Sequence, residues 1–374
     1  MRILFITPSG GYTGSEMMLW YLLKELEKRG IEVALFSRQR NQLYRHKDEV
    51  AFRTEFYPYN DRFFYSVYDA AYSKVFGLSP CDQELMRLHR EFKPDMWYLN
   101  TVTMPNVAEM ARKLGVPYTV HFHELLSTFD EFWTKPIYDM LSGASRLIGC
   151  AEVVCQRVRQ MGFPNVELLH SCIDTSRILP RQDPALLRAR LGIPPGDFIW
   201  MMSGTSCLRK GYDLVPDIVQ HLPKNAWLLW LGKEKESGVH LYVQSRTEQE
   251  GLNFIHLGAH SDDYYDYLNL CDGFVLTSRE DPYPLVMIEA AFLGKPIVGF
   301  ESGGISEFLL PGMGTYVSSF NPEELAGAMR SLMAGRIRIS PDMLRQRAYQ
   351  FDISHLTDQW LELFEAKEKE AVLV

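Results

Sequence analysis

The chain twice runs strand, glycine turn, helix, strand, and this alternation limits its fold more than any other feature. It opens with the apolar strand Arg2 to Thr7, the turn Gly10-Gly11-Tyr12-Thr13-Gly14, and a run with Leu19, Leu22, Leu23 and Leu26 on one helical face. Thr13 and Glu16 have capping-box spacing, so each side chain is expected to take a free backbone donor at the helix start, and Gly30 is expected to end that helix. Strand-like runs follow at Val33 to Phe36, Met96 to Asn100, Pro117 to Phe122 and Leu147 to Cys150, with a helix over Val107 to Leu114. After about residue 175 the pattern restarts: Phe198 to Met202, a helix beyond Lys210, then the strands Ala226 to Leu231 and Gly273 to Thr277. Such alternation implies parallel, doubly wound sheets, and two runs of it imply two Rossmann-like domains joined through the Pro-, Arg- and Asp-rich segment Asp174 to Pro195. The last helix carries Leu356, Trp360, Leu363 and Phe364 as one stripe, which has to be buried.

A chain of 374 residues, 46% hydrophobic, can bury two separate cores. Its longest apolar runs, such as Ile3 to Ile6 and Trp227 to Leu231, fall well short of the roughly 18 residues of a membrane span. The amino terminus reaches its glycine turn after one short strand, without the apolar segment of a secretory signal, so cytoplasmic residence is expected. The cysteines Cys81, Cys150, Cys155, Cys172, Cys207 and Cys271 form no CxxC and no Cys/His zinc spacing, and are expected to be reduced and mostly buried. Acids and bases balance over the first 172 residues, so the net charge of -8 falls on the remainder, which argues against nucleic-acid binding.

The most informative stretch is Thr277-Ser-Arg-Glu-Asp-Pro-Tyr-Pro-Leu-Val-Met-Ile-Glu-Ala-Ala-Phe-Leu-Gly-Lys-Pro-Ile-Val298. A strand ends, a polar turn follows, Pro284 stands where a first helical residue tolerates proline, and Gly294 stops the helix before Pro296 starts another strand. The turn therefore aims a helix amino terminus at the carboxyl edge of a sheet, where open α/β folds bind ligands. Amides of Tyr283, Leu285 and Val286 can hold an anion there, whereas Pro284 has none to give. Asp281 and Glu289 lie eight apart across the turn, and a carboxylate inside such a helix makes sense with ribose or sugar hydroxyls to bind. Arg209 and Lys210, in a glycine-flanked turn before a helix, are suited to a diphosphate. No Asp-x-Asp occurs, so no carboxylate pair offers Mg2+ or Mn2+ to a diphosphate, and leaving-group charge falls to these two cations and the helix amides. Gly10 to Gly14 is not a GxGxxG, and Phe36-Ser37-Arg38 offers no carboxylate to a ribose, so NAD is not expected.

These residues resemble glycosyltransferase family 4. Asp281-x7-Glu289-Ala, Gly294-Lys-Pro-Ile-Val and Gly303-Gly-Ile-Ser-Glu307 are similar to its donor-site signature. Ser203-Gly-Thr-Ser-Cys-Leu-Arg-Lys-Gly-Tyr-Asp213 is similar to its phosphate-clamp loop, Leu257-Gly258 to its strand beside the base, and Ser171-Cys-Ile-Asp174 to its hinge. The family usually has Glu where Asp281 stands, with Glu280 adjacent, and Asn-Gly where Ser171-Cys172 stand.

The resemblance implies an α/β GT-B fold, two Rossmann-like domains with parallel sheets facing a central cleft. It implies an acceptor domain over 1–172, a nucleotide-sugar donor domain over 173–350, and a helix over 351–374 crossing back. It implies a retaining transferase that moves a sugar from a UDP- or GDP-sugar to a glycan, lipid-linked or small-molecule acceptor, with no metal and no cofactor. Arg209 and Lys210 would hold the diphosphate, Glu289 the ribose, Asp281 or Glu280 the sugar hydroxyls, and backbone near Leu257 the base. From the first domain, Gly11, Gly14 and their loop would approach the donor or acceptor, and His123, in Val120-His-Phe-His-Glu124, the transferring sugar; of His121 and His123 only one can face the cleft if the strand continues. Glu307 would support the site or start a helix. Phe52, Phe56, Tyr57, Tyr59, Phe63, Phe64, Tyr65, Tyr68, Tyr72 and Phe76, with Arg53, Arg62 and Lys74, are expected to supply core packing and an acceptor loop, with peripheral contact at a membrane face as a further expectation. Two other functions fit the fold: a nucleotide-sugar epimerase, which needs no acceptor, and a non-catalytic nucleotide-sugar-binding protein.

Overall fold

A computed structural model describes residues 1–58, 72, 74, 77–124 and 134–371, with side chains as far as Phe364. Of the aromatic-rich segment, Tyr59, Phe63, Phe64, Tyr65, Tyr68, Phe76 and Arg62 lie outside the described residues. The chain divides into two compact units, Met1–Ser171 with Leu356–Val374, and Cys172–His355.

The first unit holds a parallel sheet of β1 (Arg2–Thr7), β2 (Glu32–Ser37), β3 (Arg53–Phe56), β4 (Met96–Leu99), β5 (Tyr118–Phe122), β6 (Arg146–Gly149) and β7 (Val166–Leu168), in the order β3-β2-β1-β4-β5-β6-β7. The second holds β8 (Phe198–Ser203), β9 (Ala226–Leu231), β10 (Phe254–Gly258), β11 (Gly273–Leu276), β12 (Ile297–Phe300) and β13 (Gly314–Val317), also parallel, in the order β10-β9-β8-β11-β12-β13. Both are Rossmann-like. Central strands read as continuous apolar runs because helices cover both faces: Ile3 to Ile6 in β1 and Ile199 to Met202 in β8 are fully buried.

Each strand order reverses once, between β1 and β4 and between β8 and β11. The crevice at the carboxyl ends of such neighbours is where open α/β sheets bind ligands. The glycine turn leaves β1 and Asn100 follows β4; in the second unit, the loop through Arg209 and Lys210 leaves β8 and the turn through Asp281 leaves β11.

The terminal helix Ile353–Ala371 buries Leu356, Trp360 and Phe364, with the Trp360 ring 6.2 Å from both Phe5 and Tyr98 in the first unit's sheet. Burial of each such side chain stabilises the unit by about 1.5–3 kcal/mol. All six cysteines are free, and Cys207 alone among them is not buried. Among the described residues no helix is long and apolar enough to cross a membrane.

Two local expectations need correction. Thr13 caps the first helix without a side-chain bond to its backbone; its hydroxyl instead donates to Glu16 at 2.8 Å. Pro284 is the residue before the helix Leu285–Phe292 rather than its first member, because its ψ of 120° is extended. Within the segment Asp174 to Pro195 lies the helix Pro184–Arg190, capped by the Asp183 side chain, a local feature that leaves the expected role of the segment as it was.

Candidate active site

In the second unit two loops from adjacent strands are stitched together. The amide of Arg279 donates to the Arg209 carbonyl at 2.9 Å, and the Thr277 hydroxyl to the Lys210 carbonyl at 2.7 Å. Arg279 also reaches back, donating to the Leu208 carbonyl and gripping Asp213 through both carboxylate oxygens at 2.6 and 2.7 Å. Gly211 makes this approach possible, since its φ of +72° is left-handed and a Cβ would stand 2.1 Å from the Thr277 carbonyl oxygen.

The stitching places Lys210 Nζ against Asp281, in an ion pair whose members are both largely shielded from solvent, and Ser278 Oγ donates to the same carboxylate at 3.2 Å. Arg209 is half exposed; it donates to the Glu280 carbonyl at 2.9 Å and stands 4.0 Å from Asp281. The neighbouring acids thus divide: Asp281 presents its carboxylate to the cations, while Glu280 meets Arg209 through its backbone. Asp281 is held by its own amide, which donates to the Ser302 carbonyl at 2.7 Å, and Gly304 pins Pro282 the same way. The helix Leu285–Phe292 begins three residues after Pro282, with the amides of Leu285 and Val286 in its first turn, where an α-helix leaves donors unpaired. The Tyr283 ring is buried beside Phe308 and Phe351. Glu307 lies in the short helix Ile305–Phe308, and its carbonyl accepts from Arg347.

Glu289 sits inside the helix Leu285–Phe292, buried, with hydrogen bonds from Tyr265 at 3.0 Å and Tyr264 at 3.2 Å; Tyr264 also lies 2.9 Å from the Ser203 hydroxyl at the end of β8. Burial outweighs the two tyrosine hydrogen bonds and the charge of Arg177, and pushes the carboxyl from its ordinary 4.5 up to about 7. The folded state then binds more protons than the unfolded chain between those values. The stability involved is whole below the ordinary value and is lost as pH rises through about 7, a difference of about 3 kcal/mol. In denaturant unfolding between about pH 5 and about pH 8, the wild type is expected to lose that amount relative to Glu289→Gln. Parallel pH profiles for the two proteins contradict this.

Leu257, in β10, has its carbonyl occupied by His260 Nε2 at 3.1 Å. In the first unit, Gly14 begins the helix Gly14–Lys28, but the Gly11 amide already donates to Glu16 at 3.1 Å, so this donor is held by the protein's own helix. His121 and His123 stand two apart, a spacing that in a strand puts both side chains on one face rather than on opposite ones; β5 ends at Phe122, one residue before His123, and the rings lie 4.1 Å apart, with His121 fully buried against Tyr98 and His123 partly exposed. His123 Nε2 is 3.1 Å from Asn100 Oδ1, and burial lowers the imidazole to about 3, which keeps it neutral near pH 7. Glu124, bonded to Thr101 and to the His123 amide, is raised by burial.

Arg279, Asp213, Tyr264, Tyr265 and Asn100 were not singled out from the sequence. Only the Tyr264-Tyr265 doublet and the position of Arg279 within the Thr-Ser-Arg-Glu-Asp turn were visible there, and neither signals a partner 66 or 25 residues away.

Two Rossmann-like units with parallel sheets are the architecture of the GT-B class of glycosyltransferase fold. The pattern described as Glycosyltransferase Family 4 matches residues 12–177, and that described as Glycosyl transferases group 1 matches residues 185–351. The chain belongs to glycosyltransferase family 4. It is 26% identical over 224 residues to the lipopolysaccharide core biosynthesis glycosyltransferase LpsE of Rhizobium meliloti, covering 57% of this chain and 62% of that protein. It is 26% identical over 212 residues to a D-inositol 3-phosphate glycosyltransferase of Streptomyces bingchenggensis, covering 52% and 46%. These matches thus span less than two thirds of the relatives' lengths. The fold is shared with Anabaena HepE in complex with UDP-glucose, at TM-score 0.82 and 20% identity over 98% of this chain and 100% of that one. Sucrose-phosphate synthase from Thermosynechococcus elongatus gives TM-score 0.79 at 16% identity, over 99% and 100%.

Proposed function

We propose that the protein is a retaining, metal-independent glycosyltransferase that takes a sugar from a nucleotide diphosphate-sugar. The observation that carries this reading is the cationic pair Arg209 and Lys210, fixed beside Asp281 and the start of the Glu289 helix at a topological switch point. In this reading Lys210 and Arg209 neutralise the diphosphate, and the first-turn amides and helix dipole add to them. Glu289 receives the ribose hydroxyls, and Asp281 and Glu280 serve the sugar, Asp281 also setting the position of Lys210. His123, neutral, offers a hydrogen bond to the transferring sugar. The HepE complexes contain UDP, glucose and UDP-glucose, which favours a UDP-sugar here, and LpsE's role in lipopolysaccharide core biosynthesis favours a glycan or lipid-linked acceptor.

In the reaction the bond between the anomeric carbon and the β-phosphate oxygen breaks, a bond to the acceptor oxygen forms on the same face, and the acceptor proton leaves to the departing phosphate. The charge that develops on that phosphate is met by Lys210 and Arg209 without a divalent ion.

Incubation of UDP- and GDP-sugars with glycan and lipid-linked acceptors tests the reading. A glycoside that keeps the donor's anomeric configuration is expected, at a rate that EDTA leaves unchanged. Inhibition by EDTA that Mg2+ or Mn2+ reverses overturns the metal-independent part. An isomerised nucleotide-sugar formed without acceptor marks an epimerase, and no product with any donor marks a binding protein.

A further inference from the structure

Away from the residues discussed so far, a loop, a helix and a strand of the second unit converge on one carboxylate. Glu234 lies in the loop after β9, His240 near the start of the helix Gly238–Gln249, and His256 inside β10. Among the described residues they form the one group of three His, Cys, Asp or Glu side chains whose ligand atoms all lie within 4.8 Å of one another. Glu234 divides its oxygens between the histidines: Oε1 is 2.9 Å from His240 Nε2, and Oε2 is 3.7 Å from His256 Nδ1. Two ligands of one tetrahedral zinc, with metal–ligand bonds of about 2.0–2.2 Å, stand about 3.4 Å apart. The two separations bracket that value.

The surroundings also suit a metal. The other ring nitrogen of His240 is 3.4 Å from the Tyr212 hydroxyl, and the two rings are stacked. An outer hydrogen bond of this kind fixes the orientation of a ligating imidazole. Both imidazoles are largely shielded, whereas Glu234 is half exposed and leaves a path for entry. Two imidazoles and one carboxylate favour zinc over the oxygen-seeking Mg2+ and Ca2+.

We propose that Glu234, His240 and His256 form a zinc site that pins the loop after β9 to β10 and to the helix Gly238–Gln249. The same loop is already tied to the one that carries Arg209 and Lys210: Ser206 donates its amide to the Lys233 carbonyl at 3.1 Å, and its hydroxyl accepts the Lys235 amide at 2.9 Å. Zinc there braces this loop outside the transfer reaction, so its removal by EDTA is expected to lower the melting temperature and to leave the rate unchanged. None of the three ligands takes part in the proposed donor site, and zinc binding is measured without donor, so the two proposals fail separately.

Titration of Zn2+ into the full, metal-stripped chain by calorimetry is expected to give one equivalent bound and a raised melting temperature that Mg2+ does not reproduce. Co2+ in its place is expected to give the visible absorption of a four-coordinate site. Glu234→Gln changes an exposed position and His240→Gln a largely shielded one that keeps a polar side chain, so the variants are expected to fold and to lose more affinity than the roughly 10- to 100-fold that outer-shell changes cost. Cys207→Ser, at the one cysteine that is not buried, is expected to bind zinc unchanged. No binding, equal binding in Glu234→Gln and His240→Gln, or loss in Cys207→Ser overturns the proposal.

Discussion

Lys210→Ala is expected to lower kcat/KM for the nucleotide-sugar by roughly ten- to a hundredfold, as follows from the 1.5–3 kcal/mol of a charge-assisted hydrogen bond. The ammonium has three donors, and Asp281 takes one of them, which leaves others for a diphosphate. Removing it also leaves a buried carboxylate with the Ser278 hydroxyl and, 4.0 Å away, the guanidinium of Arg209 as its remaining side-chain partners. A repelling acid beside the phosphates therefore adds to the lost attraction. Lys210→Arg keeps the charge but replaces a compact ammonium with a planar fork, so partial recovery is expected. Steady-state kinetics across donor concentrations reads the effect, and a kcat/KM within twofold of wild type removes Lys210 from the site.

Gly211→Ala should have the largest structural effect. The left-handed conformation costs a residue with a Cβ about 1–2 kcal/mol, before any collision. Here the added carbon would lie 2.1 Å from the Thr277 carbonyl oxygen and 2.9 Å from its carbon, which are backbone atoms at the end of β11 and cannot rotate away. The loop must then lift off the turn, breaking the bonds from Thr277 to Lys210 and from Arg279 to Arg209. A loss of roughly 3 kcal/mol or more is expected in urea unfolding. Donor binding should weaken as well, because Lys210 and Asp281 are paired only while the loops stay stitched. Wild-type stability in this variant contradicts the stitching.

Much of the architecture was legible because buried parallel strands are written as unbroken apolar runs, as in Ile3 to Ile6 and Trp227 to Leu231, with glycine or proline at their ends. The strands that escaped reading, β3, β7 and β13, stand at sheet edges. They are three or four residues long and include partly exposed positions such as Arg53, Glu167 and Tyr316, so the apolar signal is diluted. At the site, Asp281 and Glu289 were readable because strand, turn and helix follow in one stretch of chain. The pairing of Lys210 with Asp281 spans 71 residues and exists only because β8 and β11 are neighbours, a fact of topology that spacing does not carry. The Thr13-Glu16 spacing shows the opposite failure: Glu16 takes backbone donors as expected, the Gly11 amide among them, but the bond expected from the helix backbone to the Thr13 side chain did not form.

The most direct test is a crystal structure of the protein soaked with UDP-glucose. Diphosphate density is expected within hydrogen-bonding distance of Lys210 Nζ and the amides of Leu285 and Val286, with the ribose at Glu289. Density for the nucleotide elsewhere, with Lys210 Nζ still paired with Asp281, contradicts it.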